Sequence, residues 1–405
     1  MEKVLPKGWV ETTFGFINQK SSTKNINPFA YPDETFELYS VPIFDEAKPE
    51  IVKGSEIKSS KQIVEETDIL VCKINPRINR VWNVGNFTKN RKIASSEWIV
   101  INNKSINSNF LRYQFQSQRF RMLLQSEVSG VGGSLTRSRP KLVNEYPVYI
   151  SPLAEQERIV SKLDALFKKI SLIEDKITAL KDLKNKFFAA IFFNNSGNTT
   201  LEGLIEECKG RVGKDWKEYP KIGVSAKDGI IDLATGLKDT FENYKVVMPG
   251  DIIYNTMRIN IGSIAIYNGE VPAITSPDYV VLRTKGISNH LFLNFIKSDL
   301  GRMNLSSVTT GSVRSRLYFK NLITLSYPII DDKKQLQADN ILKWFDGTIK
   351  SLDLLSKNKL SFLKNSLLLK AFKGELVPQL PTDGDAKELL AEIMRLKKNK
   401  KRGIR

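Results

Sequence analysis

The chain has 405 residues, enough for two or three domains, and 41% of them are hydrophobic, so it can bury substantial cores. Its 62 Lys and Arg residues against 44 Asp and Glu give a formal net charge of +18, which indicates a polyanionic partner. A single histidine, His290, excludes sites built from several histidines; two distant cysteines, the lack of a signal peptide and the lack of a membrane-length apolar run predict a soluble cytoplasmic protein.

The sequence contains an internal repeat. Asp68-Ile-Leu-Val has a counterpart in Asp251-Ile-Ile-Tyr, and GGSLTRSRPKL at 132–142 resembles TGSVRSRLYFKNL at 310–322. Each copy has the pattern of a strand-rich part followed by a long helix. The two copies therefore represent one structural unit that occurs twice.

The copies differ in length near their start. Trp9 lies 59 residues before Asp68, whereas Trp216 lies 35 residues before Asp251, which predicts an insertion in the first copy. The predicted fold class is α+β, with two strand-rich domains alternating with two long helices that pair as an antiparallel coiled coil. The expected limits are 1–150 for the first domain, 151–195 for the first helix, 196–330 for the second domain, 331–377 for the second helix and 378–405 for a basic helix and tail.

One pattern in the first domain resembles a metal-dependent nuclease site. Pro32-Asp33 and the later Glu46-Ala47-Lys48 supply two carboxylates for Mg²⁺ and a lysine that could assist an attacking water. The pattern is loose and its surroundings have the composition of an acidic loop. We therefore expect no nuclease site there.

Two repeated basic loops are the candidates for DNA contact. In the Arg-Ser-Arg turn, glycines allow close approach, hydroxyls bond phosphates and arginines can contact guanine bidentately. The loop after the Asp-Ile strand is rich in Arg and Asn, and a nearby Lys-Arg cluster suits phosphates; a solvated basic surface is the alternative for each. The expected DNA-binding residues are Lys73, Arg77, Arg80, Lys89, Arg91, Ser134, Thr136, Arg137, Ser138, Arg139, Lys141, Arg258, Asn260, Thr310, Ser312, Arg314, Ser315 and Arg316.

The two long helices are predicted from apolar residues that recur every three or four positions, close to the heptad period. The first pattern runs from Ile159 to Ile191, and the second from Ile341 to Leu367 with an interruption at Lys359. Each narrow apolar stripe must be buried, so we expect the helices to pair as an antiparallel rod of about 50 Å. Alternatively, each helix packs on its own strand-rich domain.

Apolar residues off these stripes could face a partner helix or thicken the core of their own domain. They are Leu153, Leu172, Phe188 and Phe192. His290 is expected only to flank a short helix. The chain is expected to end in a helix from Ala386 to Lys398, followed by a basic tail that frays because like charges repel.

Several catalytic motifs are absent from the sequence. There is no GxxxxGK[ST] phosphate loop and no GxGxxG after a strand. The segment Asn27-Pro28-Phe29-Ala30 departs from the aminomethylating Asn-Pro-Pro-aromatic tetrad at its third and fourth positions. The sequence thus predicts a protein without ATP-driven or methyl-transfer chemistry of its own.

The sequence resembles the specificity subunit of type I restriction-modification enzymes. The resemblance rests on the opening LPKGWVETTFG, on ISPLAEQERIVSKLDALF at 150–167 and on LLLKAFKGELV at 367–377, and the internal repeat extends it over nearly the whole chain. The second copy departs from the pattern in IIDDKKQLQADNILKWF, which keeps Gln335 and Gln337 but lacks the Leu-Ala-Glu-Gln core. The contacts at that joint are therefore left open.

This resemblance implies a non-catalytic protein in which each strand-rich domain recognises one half of a split DNA site and the helices set the gap. It further implies double-stranded DNA, two methyltransferase subunits and two motor-nuclease subunits as partners, with no membrane. S-adenosylmethionine, ATP and Mg²⁺ would be cofactors of those partners, with none in this chain. Two other functions stay open: a stand-alone Mg²⁺-dependent nuclease, and a two-module scaffold for nucleic acid or protein.

Overall fold

The computed structural model describes residues 5–19, 24–126, 128–129, 136–193, 197–233, 240–308 and 316–402. Its backbone divides into two compact units. Unit 1 comprises Met1–Leu172 and Ser356–Arg405, and unit 2 comprises Ile173–Leu355. The fold mixes helices and sheets, as the sequence predicts.

Short strands, two to six residues long, make up the sheets of both units. In unit 1 they are β1 (Val10–Thr13), β2 (Asn25–Ile26), β3 (Thr35–Tyr39), β4 (Glu50–Lys53), β5 (Lys61–Ile63), β6 (Ile69–Cys72), β7 (Val81–Asn83), β8 (Arg91–Ala94), β9 (Trp98–Ile101), β10 (Val128–Ser129), β11 (Arg137–Ser138) and β12 (Pro147–Ile150). In unit 2 they are β13 (Asn198–Thr200), β14 (Ile205–Glu207), β15 (Ile222–Ser225), β16 (Gly229–Asp232), β17 (Lys245–Val247), β18 (Ile252–Asn255), β19 (Ile264–Ile266), β20 (Ala273–Thr275), β21 (Tyr279–Thr284) and β22 (Ser326–Pro328).

The helices range from single turns to one of 41 residues. They are α1 (Phe14–Ile17), α2 (Ser108–Gln116), α3 (Gln118–Ser126), α4 (Pro140–Val143), α5 (Leu153–Phe193), α6 (Asn289–Lys297), α7 (Asp299–Val308), α8 (Phe319–Leu322), α9 (Asp332–Leu355), α10 (Ser361–Ala371) and α11 (Ala386–Arg402). The first long helix, α5, is described from Leu153 to Phe193, and its predicted limits are 151–195.

The internal repeat is present in the topology of the two units. The strand order β7-β6-β9 in unit 1 matches β19-β18-β21 in unit 2, and in both cases two helices, a one-turn helix and a strand follow. That last strand pairs antiparallel with the first strand of its unit, as β1 with β12 and β13 with β22. The β5-β8 pair likewise matches β17-β20.

The structure corrects two details of the sequence comparison. The segment from β1 to β6 and that from β13 to β18 are nearly equal in length, so Trp9, beside β1, does not correspond to Trp216, which lies in a 3₁₀ helix at Gly213–Glu218. The large insertion predicted in the first copy is therefore wrong. Instead, unit 1 extends its β5-β8 pair into a five-stranded sheet, whereas unit 2 forms the separate ribbons β15-β16 and β17-β20.

Aromatic clusters fill the core of each unit. In unit 1, Phe14 lies against Phe115 and Phe120, with ring centroids 5.2 and 5.9 Å away. In unit 2, Phe192 stacks on Phe188 at 4.2 Å and on Phe295 at 5.5 Å. The two core faces are therefore built from the short helices that follow each sheet, together with a part of α5.

The N-terminal segment of unit 1 is joined to its C-terminal segment. The backbone N–H of Ala386 donates to Gly8 O at 2.9 Å, and Arg158 on α5 pairs with the carboxylate of Asp383 at 2.6 Å. Glu155 is buried and accepts the indole N–H of Trp9 at 2.9 Å; burial raises the pKa of this carboxyl. The segments that carry the family resemblance thus pack together.

The last helix also belongs to this packing. Helix α11 begins at Ala386 as predicted, and Ile393 is buried in the core of unit 1. Lys397 donates to the carbonyls of Gly15 and Phe16 at 3.1 and 2.5 Å. One of the tail lysines is therefore docked on the end of α1.

The second long helical segment changes its hydrogen-bond pattern near the middle. A π-helical turn at Ser356–Leu360 separates α9 from α10, at the position where Lys359 interrupts the apolar stripe. The regular seam is only partly realised: on α5, Ile173 and Leu183 are 40% and 54% exposed. The periodic pattern located the helices but not the burial of every residue in it.

A buried glutamine forms the same joint in each unit. Gln156 accepts the N–H of Asn107, the N-cap of α2, at 3.0 Å and donates to Ser151 O at 2.7 Å. Gln335 accepts the N–H of Ser288, the N-cap of α6, at 3.2 Å and donates to Ile330 O at 2.9 Å. The second copy thus keeps this contact although its Leu-Ala-Glu-Gln core is absent.

Candidate nucleic-acid interface

Backbone hydrogen bonds bring the two predicted DNA-binding segments of unit 1 together. Asn75 N–H donates to Thr136 O, and Ser138 N–H donates to Lys73 O, each at 2.9 Å. Asn75 and Asn79 adopt positive φ angles of 49° and 55°, which asparagine tolerates better than most residues. The loop at 73–80 and the turn that begins at Thr136 therefore form one surface.

Basic side chains project from this surface. Arg77, Arg139 and Lys141 are exposed, and the Arg137 side chain is 61% exposed. Arg80 is half-buried near the Cys72 thiol; burial raises the pKa of this thiol, and the charge of Arg80 opposes that shift. The four exposed cations are accessible to a ligand, whereas the side chain of Arg80 is partly covered by the protein.

Ser138 has a structural role, because its hydroxyl is buried and is not available for the predicted DNA contact. The side chain is buried and its hydroxyl donates to Leu124 O at 3.0 Å. The hydroxyl thus satisfies the backbone of α3, as buried polar groups must.

Two other predicted residues lie on a different sheet of unit 1. Lys89 precedes β8 and is exposed. Arg91 lies on β8, pairs with Glu34 at 2.9 Å and is positioned over the Tyr31 ring, 5.0 Å from its centroid. These cations form a patch separate from the joined loops.

Unit 2 repeats the joined loops. Leu317 N–H donates to Thr256 O at 2.9 Å, as Ser138 N–H does to Lys73 O, so Arg316 corresponds to Arg137. The Arg-Ser-Arg motif alone would match Arg316 with Arg139, two residues away. Arg258 and Asn260 are exposed around the 3₁₀ turn at Ile259–Ile261, which lies between β18 and β19.

Arg316 lines a cleft of about 420 Å³ in unit 2. Other polar residues that line this cleft include Glu207, Lys245, Asp278, Tyr279, Tyr318 and Lys320. Lys245 is held by Glu207 at 3.4 Å and donates to Tyr279 O at 2.8 Å. Arg316 therefore lies in the same cleft as an ion pair that is held in place.

Five predicted DNA-binding residues lie outside the described residues. They are Ser134, Thr310, Ser312, Arg314 and Ser315.

Two acidic residues beside these arginines were not predicted. Glu97 pairs with Arg137 at 3.0 Å, and Asp278 shares the cleft with Arg316. The sequence signal was available, because Ser-Ser-Glu-Trp at 95–98 and Ser-Pro-Asp-Tyr at 276–279 are similar and repeat with the same spacing as the following helices.

The nuclease-like residues lie at the surface of unit 1. Asp33, Glu46 and Lys48 are all exposed. Within the described ranges, no group of three or more His, Cys, Asp or Glu residues could hold a metal ion. His290 lies inside α6, as its second residue, and does not flank the helix as expected; burial lowers its pKa.

The predicted partner-facing residues fall into two groups. Phe188 and Phe192 are 8% and 5% exposed in the core of unit 2, so of the two roles left open by the sequence they thicken the core and are not available to a partner. Leu153 and Leu172 are 42% and 53% exposed. Among the described helices, none is long and apolar enough to cross a membrane.

A protein-family model matches part of the chain. Residues 9–182 match the family described as type I restriction modification DNA specificity domain. No curated protein matches the sequence significantly. The resemblance recognised in the sequence is thus confirmed, and the matched range contains the joined loops of unit 1.

Three solved structures resemble the chain, and the first of them shares its fold. One, from a study of complex assembly and conformational transition of the type I R-M system, is 18% identical, covers 92% of this chain and 100% of its own, and has a TM-score of 0.61. The HsdS subunit from Thermoanaerobacter tengcongensis is 19% identical, with 92% and 98% coverage and a TM-score of 0.44. The S subunit from M. genitalium is 14% identical, with 92% and 96% coverage and a TM-score of 0.47.

Proposed function

We propose that this chain, whose residues 9–182 belong to the type I restriction-modification DNA specificity family, recognises a bipartite DNA site, one half-site per strand-rich domain. Subunits of this kind are non-catalytic DNA-recognition proteins. The observation that carries the proposal is the pair of joined loops, present in both units with an exposed or cleft-lining arginine at the same place. Two copies of one reading surface in one chain suit two half-sites.

The proposed division of labour follows the charges. Arg137, Arg139 and Arg316 can reach base edges in the major groove, where arginine contacts guanine O6 and N7. Lys89 and Arg91, on their separate sheet, would contact phosphates, which position a protein on DNA without reading sequence. We take 1–150 and 196–330 as the two recognition domains.

The long helices would set the gap between half-sites by pairing antiparallel. Within unit 2, Lys181 pairs with Asp353 at 2.8 Å and Lys184 with Asp346 at 2.6 Å, so residue numbers rise along α5 as they fall along α9. The rings of Phe187 and Phe345 lie 6.0 Å apart in the same series. These contacts support a paired rod, which at about 1.5 Å per residue gives a fixed spacer.

Exposed apolar residues on the helices would receive two methyltransferase subunits, and two motor-nuclease subunits would join the complex for restriction. On the unit 1 parts of these helices, Leu153, Leu172 and Phe362 are 42%, 53% and 74% exposed, and on α9 Trp344 is 58% exposed. Large exposed apolar side chains in a series mark protein contacts. S-adenosylmethionine, ATP and Mg²⁺ would be bound by those partners, and the complex would act in the cytoplasm.

The test is DNA binding by the complex of this chain with its methyltransferase subunits. Footprinting should show two protected segments separated by a gap, and a single contiguous site would contradict the two-module proposal. Arg139→Ala and Arg316→Ala should each relax sequence preference in one half-site. Equal loss in both half-sites from Arg316→Ala would refute the modular assignment.

Lys89→Ala serves as the matched comparison for the arginine variants. It should weaken binding to all sequences evenly and reduce the slope of log affinity against log salt by about one unit, because one phosphate contact is lost. Cleavage of DNA by the purified chain with Mg²⁺ alone, abolished by Asp33→Ala, would instead establish a stand-alone nuclease.

The spacer is tested by its length. Insertion of seven residues into both long helices keeps the heptad phase and adds about 10 Å of helix. The preferred gap between half-sites should then increase. An unchanged gap would show that the helices do not set the spacing.

A further inference from the structure

Both units have an acidic residue in an equivalent turn, directly before β9 in unit 1 and before β21 in unit 2. In unit 1, Glu97 N–H donates to the Ser95 hydroxyl at 3.2 Å, and Trp98 N–H donates to Ser95 O at 3.2 Å. In unit 2, Asp278 N–H donates to the Ser276 hydroxyl at 3.4 Å, and the next N–H donates to Ser276 O at 3.0 Å. The two acids therefore occupy equivalent positions.

The backbone of each acidic residue is attached to the loop after the central strand. Lys73 N–H donates to Glu97 O at 2.9 Å, and the Thr256 hydroxyl donates to Asp278 O at 3.2 Å. Lys73 O and Thr256 O are the acceptors for the strand that carries Arg137 or Arg316. Each acid is thus fixed at the junction of the joined loops, next to an arginine.

Stability does not account for these acids. The Glu97 and Arg137 side chains are 27% and 61% exposed, and ion pairs that are exposed to this extent contribute little to stability. Asp278 is exposed. The fold would therefore tolerate an amide at either position.

A carboxylate in a DNA-binding surface is unfavourable unless DNA offers it a hydrogen-bond donor. Phosphates offer only negative oxygens, which repel it. In the major groove the donors are the amino groups of cytosine and adenine, and the pairing preferred by Asp and Glu is with cytosine N4. An arginine and an acid side by side match the acceptor edge of guanine and the donor of cytosine.

We infer that Glu97 and Asp278 are specificity-determining residues that each accept a hydrogen bond from a cytosine amino group in the half-site bound by their own unit. In the unbound protein, Glu97 is occupied by Arg137, and the pair separates when each side chain meets its base. The inference rests on the proposed DNA-recognition function and extends it to two residues and one base chemistry.

The experiment uses Glu97→Gln and Asp278→Asn in the complex with methyltransferase subunits, profiled against a library that randomises the bound site. Each variant should lose discrimination at one base pair of one half-site by about 5- to 150-fold, the range that corresponds to about 1–3 kcal/mol. Glu66→Gln and Asp232→Asn, exposed acids of the same two units, are the controls and should leave the profile unchanged.

A base analogue separates direct contact from positioning of the arginine. N4-methylcytosine at the affected pair removes the groove-facing N–H, so it should weaken binding by the unmodified protein and have no further effect on Glu97→Gln. If the analogue instead costs both proteins equally, and Glu97→Gln has the same profile as Arg137→Ala, Glu97 only positions Arg137 and the inference is overturned.

The outcomes distinguish this inference from the proposed function. An unmodified complex without bipartite selectivity would refute the proposed function itself. A selective complex whose profile survives both Glu97→Gln and Asp278→Asn would leave the proposed function standing and reject the role of the two acids.

Discussion

Replacement of Gln335 by leucine should destabilise unit 2 locally, although glutamine and leucine are similar in size. Gln335 is buried at the start of α9, where it accepts the Ser288 N–H and donates to the carbonyls of Ile330 and Gly286 at 2.9 and 3.2 Å. Leucine removes all three bonds. The N–H at the N-cap of α6 then has no acceptor from α9.

The magnitude follows from counting the groups left without partners. Gly286 is exposed and its carbonyl can bond water, so that loss is small. The Ser288 N–H and the Ile330 carbonyl are less accessible, and a buried group left unsatisfied costs about 1–3 kcal/mol. We therefore expect Gln335→Leu to cost about 2–5 kcal/mol of local stability.

Amide hydrogen exchange of peptides from α6 measures this loss, because it reports opening of that helix separately from unfolding of unit 1. Exchange protection should fall by roughly 30-fold or more, since about 1.4 kcal/mol corresponds to tenfold. Gln337→Leu is the matched control, as Gln337 lies two residues away on the same helix and is exposed. Equal protection in the two variants would refute the structural role of Gln335.

Three further predictions test packing and charge. Lys181→Glu should cost up to about 1 kcal/mol and Asp353→Lys should restore it, measured as a double-mutant cycle in thermal unfolding, because this pair is partly exposed. Phe192→Ala should cost about 3–5 kcal/mol in urea unfolding of unit 2, because its ring is 5% exposed. Arg158 lowers the pKa of Asp383, so this ion pair stabilises unit 1 fully at pH values above the ordinary Asp pKa of about 4. The unmodified protein should therefore have a higher Tm than Asp383→Asn at neutral pH, and this difference in Tm should disappear as the pH falls through the lowered pKa.

The repeat could be predicted from the sequence because the two units share residues whose side chains make the same hydrogen bonds. Asp68 and Asp251 are both buried, and each accepts the N–H three residues before it, from Glu65 and from Met248, at 2.9 Å. Such a turn needs a short carboxylate at one position, so the residue is retained when its neighbours differ. The basic loops were identified for the same reason, through their charge and glycine content.

Contacts between residues that are far apart in the sequence could not be predicted. Apolar periodicity identifies α5 as a helix, but it does not state whether Phe188 meets a partner or the aromatic cluster of Phe295 and Tyr327, since that depends on residues more than 100 positions away. Alignment by motif likewise matched Arg316 with Arg139, because Arg-Ser-Arg recurs in sequence. The backbone hydrogen bonds of Ser138 and Leu317 show instead that Arg316 corresponds to Arg137.

The arginines and acids at equivalent places in the two units constrain the DNA sequence. Arg137 corresponds to Arg316 and Glu97 to Asp278, so we expect each half-site to contain one position with the same base-pair preference. Two positions after the arginine the units differ, because Arg139 in unit 1 corresponds to Tyr318 in unit 2. A guanidinium donates to base acceptors, whereas a phenol presents one hydroxyl and an apolar ring. The half-sites should therefore share one base pair and differ beside it, which gives the complete site a direction on the duplex.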